Sequence, residues 1–307
     1  MSRLDLRRLA SEHVQPREVP RAPTDRVVYG LVQPLVGARL LLGDRPLLGQ
    51  ALVPVGLVAA ACAVYAVLQA DTPSAWEVLR HFYTSFAVLA PLPSVIMANH
   101  DARLAVAARH ALGFPRAEPC LLPMRVNLGR ALKQAALIAL ALAPVGALLR
   151  VVPVLGTVLL QVVSAIWGLH WIFVDAFDSA RYLRPGQTVA DLDAHARTLP
   201  SPWFVRALLR ASKAVPIVGG LIGRFARLCD RLAMPWREEI ALVENHPSLT
   251  LGFALGTAAV LAVPGVNLLF RPIVITGAAH VLGRLEQLEP DAPVLPPKLE
   301  AELATKA

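Results

Sequence analysis

Two short clusters at the edges of apolar blocks hold the side chains best suited to bind a solute. The first is Gly43-Asp44-Arg45-Pro46: the glycine permits close approach, the arginine supplies charge, and the proline suits the first turn of a following helix. The second is Pro264-Gly265-Val266-Asn267, followed by Arg271-Pro272. Asn267 could donate to a solute, and Arg271 could draw an anion to the mouth of a pathway. A dianion such as sulfate needs backbone N–H groups at a helix N-terminus and one or two guanidinium groups. Each cluster also has a plainer reading. Gly43 to Pro46 would be a helix-start turn with Arg45 anchored among headgroups, and Asp44 would repel an anion. Asn267 would cap a helix, and Arg271 would reach out to an interface.

Other chemistry is sparse. Lys133, near the start of an apolar block, reads as a cation extended to the interface. His170, near an apolar helix end, reads as a satisfied structural histidine, although an ionisable group in an apolar span is a functional candidate by default. The three cysteines, Cys62, Cys120 and Cys229, are scattered and suit neither a disulfide framework nor a zinc site. The eight histidines are dispersed, with His195 and His246 assigned to loops. No nucleophile elbow, phosphate-binding loop or zinc-protease motif is present, so no enzyme activity, cofactor or metal is expected. Gly252 and Gly256 form a G-x-x-x-G that Ala259 extends, which permits close helix packing inside the chain or in a homo-oligomer.

The elements that must position these residues are apolar and helical. Of 307 residues, 55% are hydrophobic and 17% charged, against about 25% charged in soluble domains. The mean hydropathy is +0.53. The net charge of +8 is spread between apolar blocks, as membrane topology requires, and no nucleic-acid module accompanies it. The expected fold is all-α and polytopic, with full and partly penetrating membrane helices and amphipathic interfacial ones. The domain plan is a flexible tail over residues 1–26, a membrane domain over 27–282 with a basic cytoplasmic insert at about 183–235, and a flexible tail over 283–307.

Within that domain, Val27–Leu42 reads as an interfacial segment. Crossings are expected at Leu47–Ala70, at Phe82–Ala98 (short, with Pro91 and Pro93), and as a hairpin of Ala131–Leu149 and Val151–Ala176 turning at Arg150 and Pro153. Asn99–Leu112 reads as an amphipathic helix carrying Arg103 and Arg109. Trp167 and Trp171 sit where rings meet headgroups. The insert holds an arginine-rich stretch, Trp203–Arg237, with an apolar island at Val215–Ile222. It reads as amphipathic helices whose arginines face anionic headgroups. The last block, Leu249–Leu282, carries Pro264 and Pro272 and reads as a helix to about Val263, a turn through Pro264–Pro272, and a short returning helix. Such interrupted segments are where a solute pathway is sought. The first strong apolar block, near Leu47, is too late for a cleaved leader. With both termini cytoplasmic, only Arg80, Arg150 and Arg271 among the basic residues of the connecting segments fall outside.

Three stretches carry a family likeness: GDRPLLGQALVPV, VVPVLGTVLLQVVSAIWGLHWIFVDAF with Asp175 and Asp178 near its end, and EEIALVENHPSLTLGFALGTAAVLAVPGVNLLFRPIVITGAAHVL. In the order and spacing of Pro46, Pro54, Pro153, Gly156, Pro264, Asn267, Pro272 and Gly277, the chain from about Val28 to Leu282 resembles the CysZ family. That family also includes the eukaryotic etoposide-induced membrane proteins. The stretch from about Leu183 to Pro235 looks inserted relative to it, and the second crossing is shorter. The resemblance implies spanning plus partly penetrating helices, a bacterial inner-membrane location, and sulfate permeation with an anion site at the loop before the first crossing. The expected partners are membrane lipids, a small inorganic anion and, as an open alternative, a second copy of the chain. The rival expectation is a non-transporting membrane scaffold whose basic insert binds anionic lipid or a cytoplasmic partner.

Overall fold

The computed structural model describes residues 19–69, 74–89, 96–149, 152–214, 218–263 and 265–288. Most of both expected tails, Pro91 and Pro93, the turn at Arg150, residues 215–217 of the apolar island, and Pro264 lie outside those residues. What is described is almost wholly helical.

The first helix, α1 (Pro23–Gly43), starts on a proline with Asp25 in its first turn. Asp44 separates it from α2 (Arg45–Gln69) and caps the new helix, its carboxylate accepting from the Leu47 N–H at 3.2 Å. Then come α3 (Ala75–Leu89) and α4 (Ala98–Ala111), followed by the long pair α5 (Met124–Leu149) and α6 (Pro153–Ser179). Two-residue strands, β1 (Glu118–Pro119) and β2 (Tyr182–Leu183), pair antiparallel and tie the entrance of α5 to the exit of α6. The insert folds as α7 (Val189–Thr198), α8 (Trp203–Ala214), α9 (Gly219–Ala233), a 3₁₀ turn at Met234–Trp236, and α10 (Arg237–Asn245). A capping box between Thr188 and Asp191 starts α7. The chain closes with α11 (Pro247–Ala262), a 3₁₀ turn at Val266–Leu269, and α12 (Phe270–Leu288).

Four helices, Arg45–Gln69, Met124–Gly146, Val154–Ser179 and Val266–Leu288, are long and apolar enough to cross a membrane. Large apolar side chains stand exposed along two of them: Leu57, Val64 and Leu68 on α2, and Val154, Leu155, Val158, Val162 and Ile166 on α6. Such a continuous apolar surface calls for a cover other than water. Two hairpins, α2–α3 and α5–α6, carry it.

Several expectations change. Val27–Leu42 is not a peripheral ribbon but most of α1, which packs against both α11 and α12 and buries Tyr29, Gln33, Val36 and Leu41. The second apolar block is divided: α3 begins at Ala75, recruiting the polar lead-in, and a separate helix starts at Ala98. Pro272 does not break the last helix. It occupies the third position of α12, within the first turn, where no backbone donor is lost from the ladder. The break is shorter than expected, made by Gly265 at φ +83° and one 3₁₀ turn. The helix then continues past Gly283 to Leu288, so residues 283–288 are not tail, and neither are residues 23–26. His195 lies within α7 rather than in a loop. Trp167 and Trp171 are buried under the insert, edge-on to Phe204 and Trp236 respectively.

Glycines set the closest contacts of the core. A β-carbon at Gly252 would collide with the Val27 carbonyl, and one at Gly256 with the Leu31 carbonyl. From the other side, a β-carbon at Gly30 would collide with the Leu249 carbonyl and one at Gly37 with that of Ile273. The G-x-x-x-G face is therefore spent on α1. Overpacking costs about 1–3 kcal/mol where neighbours can yield, and a backbone carbonyl yields least. Gly252→Ala should lower the thermal unfolding midpoint in detergent by several degrees, whereas Gly49→Ala, whose surroundings are open, should hold or raise it.

Candidate functional site

The sequence candidates do not converge. Gly43 ends α1 in open space, with nothing within 4 Å of where a β-carbon would sit, and Arg45 stands exposed at the first position of α2. The Asp44 carboxylate beside them serves as a helix cap. No cradle forms there. Asn267 lies in the 3₁₀ turn before α12, its side-chain oxygen buried and, among the described residues, without a partner.

Arg271 is neither at a mouth nor extended to an interface. Its Nε donates to Asp101 Oδ2 at 2.8 Å, its Nη1 to Asp175 Oδ2 at 2.5 Å, and its Nη2 to Ser179 Oγ at 3.1 Å. The guanidinium joins the starts of α12 and α4 to the end of α6. This overturns the expected alternation of sides, which put Arg271 opposite Asp101 and Asp175; all three lie at one level. Helix α11, 16 residues and so about 24 Å long, is too short to carry the chain across the roughly 30 Å hydrocarbon core. Two carboxylates share one cation, and burial pushes the Asp101 carboxyl above its usual range against the pull of Arg271.

A polar cleft of about 50 Å³ opens beside this triad. Asn99 comes from α4, Cys120 and Leu122 from the β1 loop, Asn127, Arg130 and Gln134 from α5, and Asp175, Asp178 and Ser179 from α6. Arg181 and Trp236 close it. Arg130 bonds Asp178 at 2.5 Å and lies 5.3 Å from the centroid of the Trp236 ring. Arg181 donates to Glu238 at 3.1 Å and lies 3.7 Å from Glu239 and 3.9 Å from Asp178. Asn99 and Leu122 exchange two hydrogen bonds, of 2.9 and 3.0 Å, which set the loop. The volume suits a few waters or one small ion.

A larger cavity of about 380 Å³ adjoins it, between β2, α7, α10 and the end of α12. Leu192, Leu199, Leu242 and Leu285 supply apolar wall, and Arg184, His195, Glu238 and Glu239 supply polar groups. Glu286, also lining it, accepts from Arg109 at 2.6 Å. Arg109 was expected on the face of an amphipathic helix but is fully buried, stacked 3.6 Å from the Tyr182 ring centroid. Among the described residues no group of histidine, cysteine and acidic side chains could hold a metal ion. Lys133 is exposed, and His170 stacks on Trp167 at 5.5 Å.

Sequence reasoning missed the pairing of Asp101, Arg130, Asp178, Arg181 and Glu239. The available signal was the rarity of acids near apolar helix ends, above all Asp175 and Asp178 closing α6. Their partners lie up to 96 residues away along the chain, beyond any local pattern.

Removing one member of a buried pair costs about 3–5 kcal/mol, because the other charge is left unpaired. Arg271→Ala should therefore cause a severe loss of thermal stability or of folded yield, while Arg45→Ala should leave the melting curve in place. Burial pushes the Glu239 carboxyl up to about 8, with Arg181 pulling the other way. The folded chain then keeps a proton that the unfolded chain gives up in the ordinary carboxylate range. Stability should fall as pH rises from about 5 to about 8 and level off beyond. Melting curves of wild type and Glu239→Gln across that window should differ in slope, the variant being flatter. No protein-family model, curated protein or solved structure matches this chain.

Proposed function

We propose that the chain is a multi-pass membrane protein that acts as a permease for a small anion, sulfate by its resemblance to the CysZ family. The solute is received in the polar cleft between α4, α5 and α6. That cleft carries the reading: two guanidinium groups and three side-chain amides (Asn99, Asn127, Gln134) gather at the base of exposed apolar hairpins. Polar groups at that level are costly unless they serve a solute or one another. Asp175 and Asp178 offset the positive charge at rest, which suits conduction, since a permeating ion must bind weakly enough to leave. The anion site proposed from sequence is moved accordingly, from Gly43, Arg45, Asn267 and Arg271 to Asn99, Asn127, Arg130, Gln134 and Arg181.

The bacterial inner membrane is the proposed location, with both termini cytoplasmic. In support, α1 runs antiparallel to α12, as Gly37 meets Ile273 and Gln33 meets His280. The start of the first described helix and the end of the last are therefore neighbours, beside the larger cavity.

A second reading, the non-transporting scaffold, draws support from the α8–α9 hairpin. Its exposed face carries Trp203, Leu221 and Leu228 among Arg210, Lys213, Arg224, Arg227 and Arg231, a pattern suited to an anionic lipid surface. Sulfate uptake into proteoliposomes separates the two. Under the permease reading, wild type exceeds protein-free vesicles, and Gln134→Leu lowers uptake several-fold without shifting the melting curve. Wild-type uptake equal to that of empty vesicles would end the permease reading and leave the scaffold.

A further inference from the structure

The cleft and the larger cavity share one wall, and that wall is a side chain. Arg181 lines both spaces, with Asp178 and Cys120 on the cleft side and Glu238, Glu239 and Arg184 on the other. Its backbone is fixed: it directly precedes β2, and its N–H donates to the Asp178 carbonyl at 3.1 Å. Its guanidinium is held by one hydrogen bond and two longer ion pairs. Of the three carboxylates around it, only Glu238 accepts a hydrogen bond, and Glu238 is itself about a third exposed. Glu239 and Asp178 stand beyond hydrogen-bond distance, and Nε, 3.7 Å from Glu239, has no hydrogen-bond partner among the described residues. Arg130 and Arg271 are instead fastened by contacts of 2.5 Å.

We propose that Arg181 is a movable gate between the cleft and the larger cavity. Drawn onto Glu238 it closes the passage; swung into the larger cavity it joins the two spaces into one polar route. This deepens the permease reading, on which its functional meaning rests. The larger cavity, at about 380 Å³, has room for the displaced guanidinium. An entering anion supplies the trigger, because it competes with Glu238 for the same cation. Arg184, about half exposed at the rim, and Arg130, inside the cleft, are the cations before and after the gate. The carboxylates opposing an anion at this point are Glu238, Glu239 and Asp178.

Cys120 reports on the passage. It lies in the cleft one residue past β1, beside Arg181, while Cys62 and Cys229 are buried elsewhere and can be replaced by alanine. In proteoliposomes of the Cys62→Ala, Cys229→Ala protein, the reagent is a membrane-impermeant anionic methanethiosulfonate. The labelling is run at pH 8, because burial pushes the Cys120 thiol up. Cys120 should label slowly in this parent. Glu238→Gln, which loosens the gate without emptying its place, should label about tenfold faster, and Arg181→Ala at least as fast. Adding Leu192→Trp, which fills the larger cavity, should bring the Glu238→Gln rate back to that of the parent. Equal rates in parent and Glu238→Gln would overturn the gate, as would an accelerated rate that Leu192→Trp leaves untouched. Should Arg181→Ala fail to fold, Glu238→Gln alone decides the outcome. Labelling does not require transport, so the two readings fail separately. Accelerated labelling without sulfate flux removes the permease and keeps the gate, and flux without acceleration removes only the gate.

Discussion

Arg271 holds the molecule in register. One largely buried guanidinium bonds Asp101, Asp175 and Ser179 and so pins three helices at a single level. A charge in such surroundings persists only when paired and hydrogen-bonded, and here two carboxylates and a hydroxyl share the one cation. The neighbouring pairs, Arg130 with Asp178 and Arg109 with Glu286, repeat the same solution at other levels. In a chain this poor in charge, Arg130, Arg181 and Arg271 gather with their acids where the long apolar hairpins meet the packed helices. The cleft is the space those ions leave between them.

Glycine and aromatic residues divide the remaining labour. Where α1 lies against α11 and α12, small residues bring backbones together and dispersion over a long, close contact supplies the attraction. Where the insert covers α5 and α6, the filler is a cluster of rings, Trp167, Trp171, Phe204 and Trp236, with Leu137, Ala226 and Ile240 around it. The insert is thus part of the core and not an appendage. Its α8–α9 hairpin is fixed through Phe204, Val205, Ala226 and Cys229, which leaves the basic face outward.

The long apolar elements were legible because hydropathy is a sum over many residues. The expected crossing Leu47–Ala70 corresponds to α2, and the expected hairpin corresponds to α5 and α6 with a few residues added at the polar ends. Single-residue signals misled. Pro272 reads as a breaker by type but is an initiator by position. Val27–Leu42 reads as peripheral because Gly30, Gln33, Pro34 and Gly37 dilute its hydropathy, although those residues are what let it be buried. Arg271 looked free because its acids lie on other elements, up to 170 residues distant. Long-range ion pairing leaves no periodic trace, so the site was visible only as a surplus of unplaced charges.

The placement of α1 has a consequence for how the chain is made. Gln33 contacts His280, 247 residues later, and the grooves that receive α1 belong to the final two helices. At about 5–20 residues per second, a ribosome needs on the order of ten to fifty seconds to supply them. Throughout that interval α1 lacks the grooves that bury it, and its glycine face stays open to unintended neighbours. The seating of α1 therefore waits on the making of α11 and α12, and a copy terminated before them keeps α1 but lacks both grooves that receive it.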